Sequence, residues 1–236
     1  MTQKDNLFQT PQPQFEFNQN VVTVFDNMIN RSVPHYSEFQ HEIAWLVDAL
    51  ASPNTCIYDL GCSIGTTYLT LAPILKSKNL QYIGIDNSEA MLKKAMDIRP
   101  RNPQPQWHNN DLNHPIDFQP ASIIILNLVL QFLRPENRLP LLTRIHQSLL
   151  PNGYLILIEK IIPSPAHFDL FTTRYHHFKK SNGYTEDEIT NKAKSLQNVL
   201  IPDSLTTHQS QLKQAGFSTN DTFFQWYNFA GILAKK

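Results

Sequence analysis

The sequence contains few glycines and cysteines, and neither is arranged as a metal-binding or disulfide-rich protein requires. Seven glycines occur in 236 residues, less than half of the usual share of about 7%. The two cysteines, Cys56 and Cys62, form no C-x-x-C pair, and the histidines show no zinc-type spacing beside them. These absences argue against a disulfide framework and a structural zinc site, and we expect no metal.

An excess of one charge and long apolar runs are missing as well. The chain has 20 Lys and Arg residues against 20 Asp and Glu residues, whereas a nucleic-acid-binding protein usually carries a basic face. Residues 123–129 form the longest apolar stretch, which Asn127 interrupts, and a membrane span needs ~20 residues. The N-terminal residues lack the apolar core of a secretory signal. We therefore expect a cytoplasmic protein that binds neither a membrane nor nucleic acid directly.

The chain does contain a regular alternation of strand and helix patterns over residues 55–160. The predicted strands are 56–60, 81–85, 106–109, 121–126 and 154–159, and the predicted helices between them are 66–75, 88–98 and 135–150. A helix at 205–214 and two strands, at 218–226 and 229–234, continue the pattern. Because strands that alternate with helices form parallel sheets with right-handed crossovers, we predict an α/β fold with a Rossmann-like, doubly wound, mostly parallel sheet of seven strands.

Two regions fall outside this alternation. Residues 1–50 hold two helical patterns that Pro34 separates, since proline lacks the N–H that a continuing helix needs. Residues 163–204 place charged and aromatic residues at helical spacing around a turn at Asn182-Gly183. We interpret the first region as an N-terminal helical cap and the second as an inserted helical lid, both within a single domain over 1–236.

The most distinctive local pattern is the turn after the first predicted strand, Tyr58-Asp59-Leu60-Gly61-Cys62-Ser63-Ile64-Gly65. Gly61 lets the backbone approach a ligand closely, and Gly65 relieves crowding where the next helix starts. Ser63 occupies the second glycine position of the dinucleotide pattern G-x-G-x-x-G. A pyrophosphate needs that glycine, so the turn argues against NAD and FAD.

Polar side chains follow three further predicted strands. Asp86 closes the second strand, where an acid either accepts both hydroxyls of a ribose or caps a helix. Asp111 follows the third strand and is placed to accept from an adenine amino group, with Leu112 against the ring. Asn127 interrupts the fourth strand, and a buried Asn needs a partner in a neighbouring element or a ligand. Since ligands bind at the carboxyl ends of such strands, the pattern predicts a nucleoside ligand without a pyrophosphate, which S-adenosylmethionine fits.

On these residues the chain resembles the class I S-adenosylmethionine-dependent methyltransferases, whose closing antiparallel strand pair matches residues 218–234. Within that superfamily it is similar to the carboxy-S-adenosylmethionine synthase family over nearly its whole length. The segments that carry the similarity are residues 5–11 (DNLFQTP), 31–36 (RSVPHY), 58–63 (YDLGCS), 85–88 (IDNS), 130–133 (LQFL), 159–160 (EK), 182–184 (NGY) and 224–229 (FQWYNF). The resemblance implies a sheet whose last strand is antiparallel.

The resemblance also implies S-adenosylmethionine as the cofactor and prephenate as the second substrate, in a homodimeric enzyme. Prephenate would lose its carboxyl group to give phenylpyruvate, and the acidified methyl group of the sulfonium would capture the carbon. The product, carboxy-S-adenosylmethionine, is the donor for carboxymethyl-type modification of the transfer-RNA wobble uridine, and the lid would exclude water from its synthesis. Carried over position by position, the implied cofactor contacts are Tyr36, Gly61, Cys62, Ser63, Asp86, Asn87, Asp111, Leu112 and Asn127.

One position of the lid departs from the family. In the family, an arginine at this position binds the new carboxylate through two nitrogen atoms of its guanidinium group. In this chain the aligned residue is Ala193. Lys192 and Lys194 are the neighbouring cations, although the simplest expectation for both is a solvated lid surface. The other candidate catalytic residues are Tyr36, which could bond the methionine carboxylate, and Arg31, which could meet an anionic substrate.

The departure leaves three functions open. The chain uses a substitute cation and makes the carboxylated product, or it is a small-molecule methyltransferase on the same scaffold. A protein that binds S-adenosylmethionine without catalysis is the third possibility, and the intact cofactor residues argue against it.

Overall fold

Eight strands build a central sheet in the computed structural model, which describes residues 4–99 and 102–236. The strands are β1 (Cys56–Leu60), β2 (Gln81–Asp86), β3 (Gln106–Asn109), β4 (Ala121–Asn127), β5 (Leu149–Ile162), β6 (Asp203–Ser204), β7 (Thr219–Trp226) and β8 (Phe229–Lys235). Seven of them follow the order β3-β2-β1-β4-β5-β8-β7, and β6 pairs with the end of β5. The strands β1 to β5 pair in parallel, whereas β8 runs antiparallel to both of its neighbours. The predicted mostly parallel sheet with an antiparallel last strand is confirmed.

Helices cover the sheet, and side-chain caps set where several of them begin. The helices are α1 (Gln19–Ser32), α2 (Tyr36–Leu50), α3 (Thr66–Ser77), α4 (Glu89–Met96), α5 (Pro135–Ser148), α6 (Phe168–Ser181), α7 (Glu186–Ser195) and α8 (Leu205–Ala215). Asn18 and Ser88 accept hydrogen bonds from first-turn amides of α1 and α4, and Thr185 forms a capping box with Glu188 at α7. These oxygens satisfy amides that have no partner inside the helix. Within the described ranges, no helix is long and apolar enough to cross a membrane.

Both faces of the sheet are covered, as a parallel sheet requires. The central strands β1 and β4 are buried at every residue except Asn127, which is partly buried. One face packs on α5 and α8, with Ile145 and Leu212 in its core, and the other packs on α2 and α3, with Phe39 and Leu71. The sheet therefore has its polar break in β4 at the carboxyl end of the strand.

Two boundaries differ from the sequence prediction. The prediction extends a helix to residue 150 and starts a strand at 154, whereas α5 ends at Ser148 and β5 starts at Leu149. Leu149 already pairs with Ala121 of β4, and a register shift after Ala121 accommodates the extra residues of β5. The strand β6 lies inside the region predicted to be helical, because its two residues extend the ladder at Ile161 and Ile162.

The N-terminal segment packs against α7. The amide of Phe15 donates to the carbonyl of Ser195 at 2.9 Å, and the side chain of Asn191 donates to the carbonyl of Phe8 at 3.0 Å. These bonds connect the regions that the sequence separates into a cap and a lid. Residues 1–3 of the predicted cap lie outside the described residues.

Candidate functional site

A large cavity lies at the carboxyl ends of β1, β2 and β4, with α1, α2 and α7 around it. Because parallel strands end at one edge of the sheet, signals that are far apart in the sequence meet in this crevice. The nine residues that the family resemblance implies for the cofactor all line it: Tyr36, Gly61, Cys62, Ser63, Asp86, Asn87, Asp111, Leu112 and Asn127.

The turn after β1 brings bare backbone to the cavity wall. Gly61 has a φ of +75°, a conformation that favours glycine, and a Cβ atom there would lie 2.5 Å from Cγ2 of Val129. The amides of Gly61 and Cys62 donate to the carbonyl of Ile85 at 2.7 and 3.0 Å. Ser63 also adopts a positive φ, +52°. The turn is thus held to β2, and the missing side chain of Gly61 makes room for Val129 in the cavity wall.

Asp86 joins this turn to α4. Its carboxylate oxygens accept hydrogen bonds from the amides of Ser63 and Ser88, each at 2.9 Å. Burial raises the pKa of Asp86, while these amides act in the opposite direction. Each carboxylate oxygen can accept more than one hydrogen bond. Asp86 can therefore tie the two backbone segments together and still accept hydroxyl groups of a ligand.

Asp59 places a second buried acid in the cavity wall. It is 1% exposed and accepts a short hydrogen bond, 2.5 Å, from the hydroxyl of Tyr82. Burial raises the pKa of Asp59 to about 6, and the charge of Asp86 adds to this rise, whereas the hydrogen bonds from Tyr82 and Thr67 lower it. Two acids at neighbouring strand ends favour a positively charged group of a ligand beside them.

The next two strand ends each place a side-chain oxygen at the cavity. The oxygen of Asp111 has hydrogen-bond partners, whereas that of Asn127 has none among the described residues. Oδ1 of Asp111 accepts from the amide and the side chain of Asn113, at 2.9 and 3.0 Å. Oδ1 of Asn127 is buried, and it has no hydrogen-bond partner within residues 4–99 and 102–236. A buried oxygen left unpaired costs about 1–3 kcal/mol. An unpaired oxygen in the wall of a cavity fits a ligand that carries a hydrogen-bond donor, as S-adenosylmethionine does.

Glu159 holds the backbone segment that follows Asn127. Its Oε1 accepts from the amides of Val129 and Leu130 at 2.8 and 2.7 Å, and its Oε2 accepts from the amide of Gln131 at 3.2 Å. Burial raises the pKa of Glu159 to about 8 against the lowering effect of these amides. Leu128 in the same segment has a φ of +64°, which is strained for a residue with a side chain. Glu159 therefore fixes a strained turn in the cavity wall.

Lys192, Ala193 and Lys194, which the sequence analysis singled out, lie on two different faces of α7. The buried residues of this helix include Glu188, Lys192 and Ser195, which share one helical face. Lys192 lines the cavity, so the expectation of a solvated surface is wrong for this residue. Ala193 and Lys194 are exposed and are not among the described residues that line the cavity.

Arg31 lies outside the cavity lining, between the N-terminal segment and the lid. Its Nε donates to the carbonyl of Asn182 at 2.7 Å, and its Nη1 donates to the carbonyl of Asp5 at 2.9 Å. Its guanidinium carbon lies 3.9 Å from the ring centre of Tyr184. These contacts give Arg31 a role in joining two segments, whereas Tyr36 lines the cavity as expected for a ligand contact.

The fold and the site together define a class I S-adenosylmethionine-dependent methyltransferase architecture. Residues 58–155 match the family described as "Methyltransferase domain". The solved structure of the plantazolicin methyltransferase BpumL, in complex with a substrate analogue and SAH, has a TM-score of 0.65 and 14% identity, over 90% of this chain and 89% of that chain. Human N-acetylserotonin methyltransferase in complex with SAM has a TM-score of 0.63 and 16% identity over 93% of this chain. The match spans 56% of the human protein, so the chain covers little more than half its length.

Curated relatives specify the family. A carboxy-S-adenosyl-L-methionine synthase of Desulfotalea psychrophila is 42% identical over 99% of this chain and 97% of its own length. A protein of the same name from Methylococcus capsulatus is 42% identical over 94% of this chain and 93% of its own length. One from Photobacterium profundum is 39% identical over 100% of this chain and 99% of its own length. The chain belongs to the carboxy-S-adenosyl-L-methionine synthase family, as the sequence resemblance predicted.

Sequence reasoning missed the site residues of the fifth strand and of α6. Lys160, near the end of β5, lines the cavity, and Glu159 beside it holds the turn after β4. The signal in the sequence is a charged pair at the end of an apolar run, a pattern that is also typical of a solvated strand end. Tyr175 of α6 packs in the core and also lines the cavity.

Proposed function

We propose that this protein makes carboxy-S-adenosylmethionine from S-adenosylmethionine and prephenate and releases phenylpyruvate. The observation that carries the proposal is the match to relatives named for this product, which runs over 99% of this chain at 42% identity. A cavity with acids at one set of strand ends and a buried lysine in its wall supports it. Such a cavity offers places for both a cationic and an anionic reactant.

The proposed cofactor contacts follow from the strand ends. Asp86 accepts the ribose hydroxyls, and Asp111 accepts the adenine amino group with Leu112 against the ring. Tyr36 donates to the methionine carboxylate, since burial raises the pKa of Tyr36 to about 12 and keeps its hydroxyl protonated. The remaining proposed contacts, which the cavity lining supports, are Gly61, Cys62, Ser63, Asn87 and Asn127.

Bound S-adenosylmethionine supplies a sulfonium that acidifies its methyl group, so that this carbon can take up the carboxyl carbon lost by prephenate. Prephenate becomes aromatic as it loses carbon dioxide and its ring hydroxyl, and that hydroxide leaves as water with the methyl proton. The chain's part is to hold the two reactants together and keep water away. Phe15 and Phe17 from the N-terminal segment, with Leu196 after α7, line the cavity and support this role.

A small-molecule methyltransferase is the second candidate, because the exposed Ala193 supplies no guanidinium for a carboxylate. In the first candidate, Lys192 supplies the positive charge from the buried face of the same helix. Lysine provides charge without the bidentate geometry of arginine.

The two candidates are separated by mass spectrometry after incubation with S-adenosylmethionine and prephenate. The proposal expects a cofactor product with one carboxyl group in place of a hydrogen, and phenylpyruvate in equal amount. No such product at any enzyme concentration would reject the proposal and favour the methyltransferase. Ala193→Arg then tests the missing guanidinium, with Ala193→Gln as the uncharged control: product from the arginine variant alone would show that the alanine removed the function.

We further propose a homodimer in the cytoplasm, in which residues 1–50 and 163–204 act as cap and lid of one domain. The product would then serve the enzyme that modifies the wobble uridine of transfer RNA. The balanced charge of the chain supports a supply role without contact to RNA. Light scattering of the purified protein tests the dimer.

A further inference from the structure

We propose that Lys160, Lys179 and Lys192 form a subsite for the carboxylate that the second substrate, a small acid with an unsaturated ring, retains in the product. These three residues are called the lysine cluster below. The subsite deepens the proposed function, and that function enters only through the choice of prephenate as one probe. The observation behind it is a group of three lysines, two buried and one partly buried, that form no ion pair with an acid among the described residues.

Lys160 is the member with the fewest contacts. It lies in β5 and lines the cavity, and its Nζ is 5.1 Å from the ring centre of Tyr175. Within residues 4–99 and 102–236, its ammonium group makes no hydrogen bond and no ion pair. Burial lowers its pKa, and no acid acts against this effect. An ammonium group of this kind has three donors free for a ligand.

Lys179 faces the same aromatic ring from α6. Its Nζ is 4.1 Å from the ring centre of Tyr175, and the residue is 7% exposed. Tyr175 precedes it by one helical turn, so both side chains lie on one face of α6. Burial lowers the pKa of Lys179 to about 7, and the charges of Lys160 and Lys192 lower it further. Lys160 and Lys179 therefore contact the same ring, that of Tyr175.

Lys192 closes the cluster from α7. It is 7% exposed, and its Nζ donates to Oγ of Ser32 at 2.7 Å. The hydroxyl of Tyr175 donates to the carbonyl of the same Ser32 at 2.8 Å, so α1, α6 and α7 meet at this serine. Burial lowers the pKa of Lys192 to about 8, and the charge of Asp5 acts in the opposite direction.

Asp5 is an acid close enough to act on Lys192, but it forms no ion pair with a lysine among the described residues. Its carboxylate accepts from the hydroxyl of Tyr184 and from the amide of Leu7, and its charge favours the protonated form of Lys192. In the described part of the chain, the three lysines make no ion pair. Burying a charge is unfavourable unless an opposite charge or several hydrogen bonds compensate it. A ligand carboxylate would supply that compensation.

The surroundings define the rest of the ligand. The cavity beside the cluster is lined by aromatic and aliphatic side chains, Phe25, Met28, Tyr175, Leu200 and Phe229 among them. Sites of this kind bind an apolar body and fix its orientation with a few polar groups. The expected ligand is therefore a small acid whose carboxylate lies on a short side chain of an unsaturated or aromatic ring, and prephenate and phenylpyruvate both have this chemistry.

The test is calorimetric titration of the protein loaded with S-adenosylhomocysteine, which occupies the cofactor without reacting. The probes are prephenate, phenylpyruvate and phenylacetone, which resembles phenylpyruvate but has no carboxylate. Lys160→Met should weaken binding of both acids about 10- to 100-fold, the loss expected for a charge-assisted hydrogen bond, and should leave phenylacetone unchanged. Lys160→Arg should retain most of the affinity.

Lys180→Met is the matched control, because it removes the same charge from the residue next to Lys179. Lys180 is exposed and pairs with Glu186 at the surface. This variant should bind both acids within about twofold of the wild type. Lys160→Met should also unfold at the same or a higher temperature than the wild type, because it removes an uncompensated buried charge. A loss of affinity without a loss of stability excludes simple misfolding.

The outcomes separate this inference from the proposed function. Unchanged affinity for both acids in Lys160→Met would overturn the subsite, even if the wild type makes carboxy-S-adenosylmethionine. Equal weakening for phenylacetone would also overturn it, because the effect would then not depend on charge. Lysine-dependent binding of phenylpyruvate by a wild type that makes no carboxylated product would support the subsite and reject the proposed function.

Discussion

The cavity has two ends of opposite charge, and different parts of the chain build them. Asp59 and Asp86 form the acidic end at the carboxyl ends of β1 and β2. Lys160 of β5 and Lys192 of α7 line the basic end, and Lys179 of α6 lies beside them against the ring of Tyr175. Under the proposed function, this charge pattern would draw the sulfonium cofactor and the carboxylate substrate to different places before any reaction begins.

The two ends also differ in whether their charged groups have hydrogen-bond or ion-pair partners when no ligand is bound. At the acidic end, Asp86 accepts from two backbone amides and Asp59 accepts from Tyr82. At the basic end, Lys160 and Lys179 contact the ring of Tyr175 and, among the described residues, meet no acid. The acidic end is therefore held by the fold itself, whereas we propose that the basic end gains its compensation from a ligand.

The largest effect is expected from Asp86→Ala, a substitution that changes only the acidic end. Asp86→Ala removes the proposed acceptor of two ribose hydroxyls and leaves the amides of Ser63 and Ser88 without a partner. Two charge-assisted hydrogen bonds of about 1.5–3 kcal/mol each predict at least a 100-fold loss of affinity for S-adenosylmethionine. Calorimetry with S-adenosylmethionine measures this loss.

Asp221→Ala is the control for Asp86→Ala, because Asp221 is an exposed acid on β7. Its affinity for S-adenosylmethionine should equal that of the wild type. If Asp86→Ala retains wild-type affinity, the cofactor does not bind at the end of β2, and the division of the cavity into two ends is wrong.

A smaller effect is expected where the two ends join. Glu159 lies next to Lys160 in the chain but supports the wall of the acidic end through three amides. Glu159→Ala leaves these buried amides unpaired, which should lower the free energy of unfolding by about 3 kcal/mol or more. Release of the strained turn at Leu128 should raise the KM for S-adenosylmethionine about tenfold.

Glu159→Gln is the matched variant, because its Oε1 can still accept from the amides of Val129 and Leu130. It should recover most of the stability and most of the affinity that Glu159→Ala loses. Denaturant unfolding and initial rates at varied S-adenosylmethionine measure both quantities. Equal losses in the two variants would show that the side chain fills space and does not position the turn.

The acidic end was largely predictable from the sequence because its geometry is local to each strand. The apolar runs that end at Leu60, Asp86 and Asn127 mark the strand ends directly. Parallel pairing then brings those ends to one edge of the sheet without further information. The strand ends thus predict Gly61, Asp86, Asp111, Leu112 and Asn127. The family resemblance implies the remaining four, Tyr36, Cys62, Ser63 and Asn87, and all nine line the cavity. Their contacts with S-adenosylmethionine remain a proposal.

The basic end was not predictable, because tertiary packing decides which side of a lid helix is buried. Helical spacing groups Lys192 with Glu188 and Ser195, but it does not say whether that face or the face of Lys194 meets the core. Lys160 was missed because a charged pair at the end of a strand is typical of a solvated strand end. Lys160 is covered by the ring of Tyr175. Tyr175 lies on a different element, α6, so the sequence around β5 does not reveal the contact.

The smallest effect is expected at Asn127, where the loss of one side-chain oxygen should weaken cofactor binding without lowering the stability of the fold. Asn127→Leu keeps the branched shape of the side chain and removes an oxygen that no described residue bonds. The loss of one hydrogen bond predicts about three- to tenfold weaker binding of S-adenosylmethionine, with stability equal or higher.

Asn228→Leu is the matched control: its Oδ1 is also buried and without a partner in the described ranges, but it is not among the residues that line the cavity. If both variants weaken the cofactor equally, Asn127 acts through packing, and the acidic end would then be defined by its acids alone.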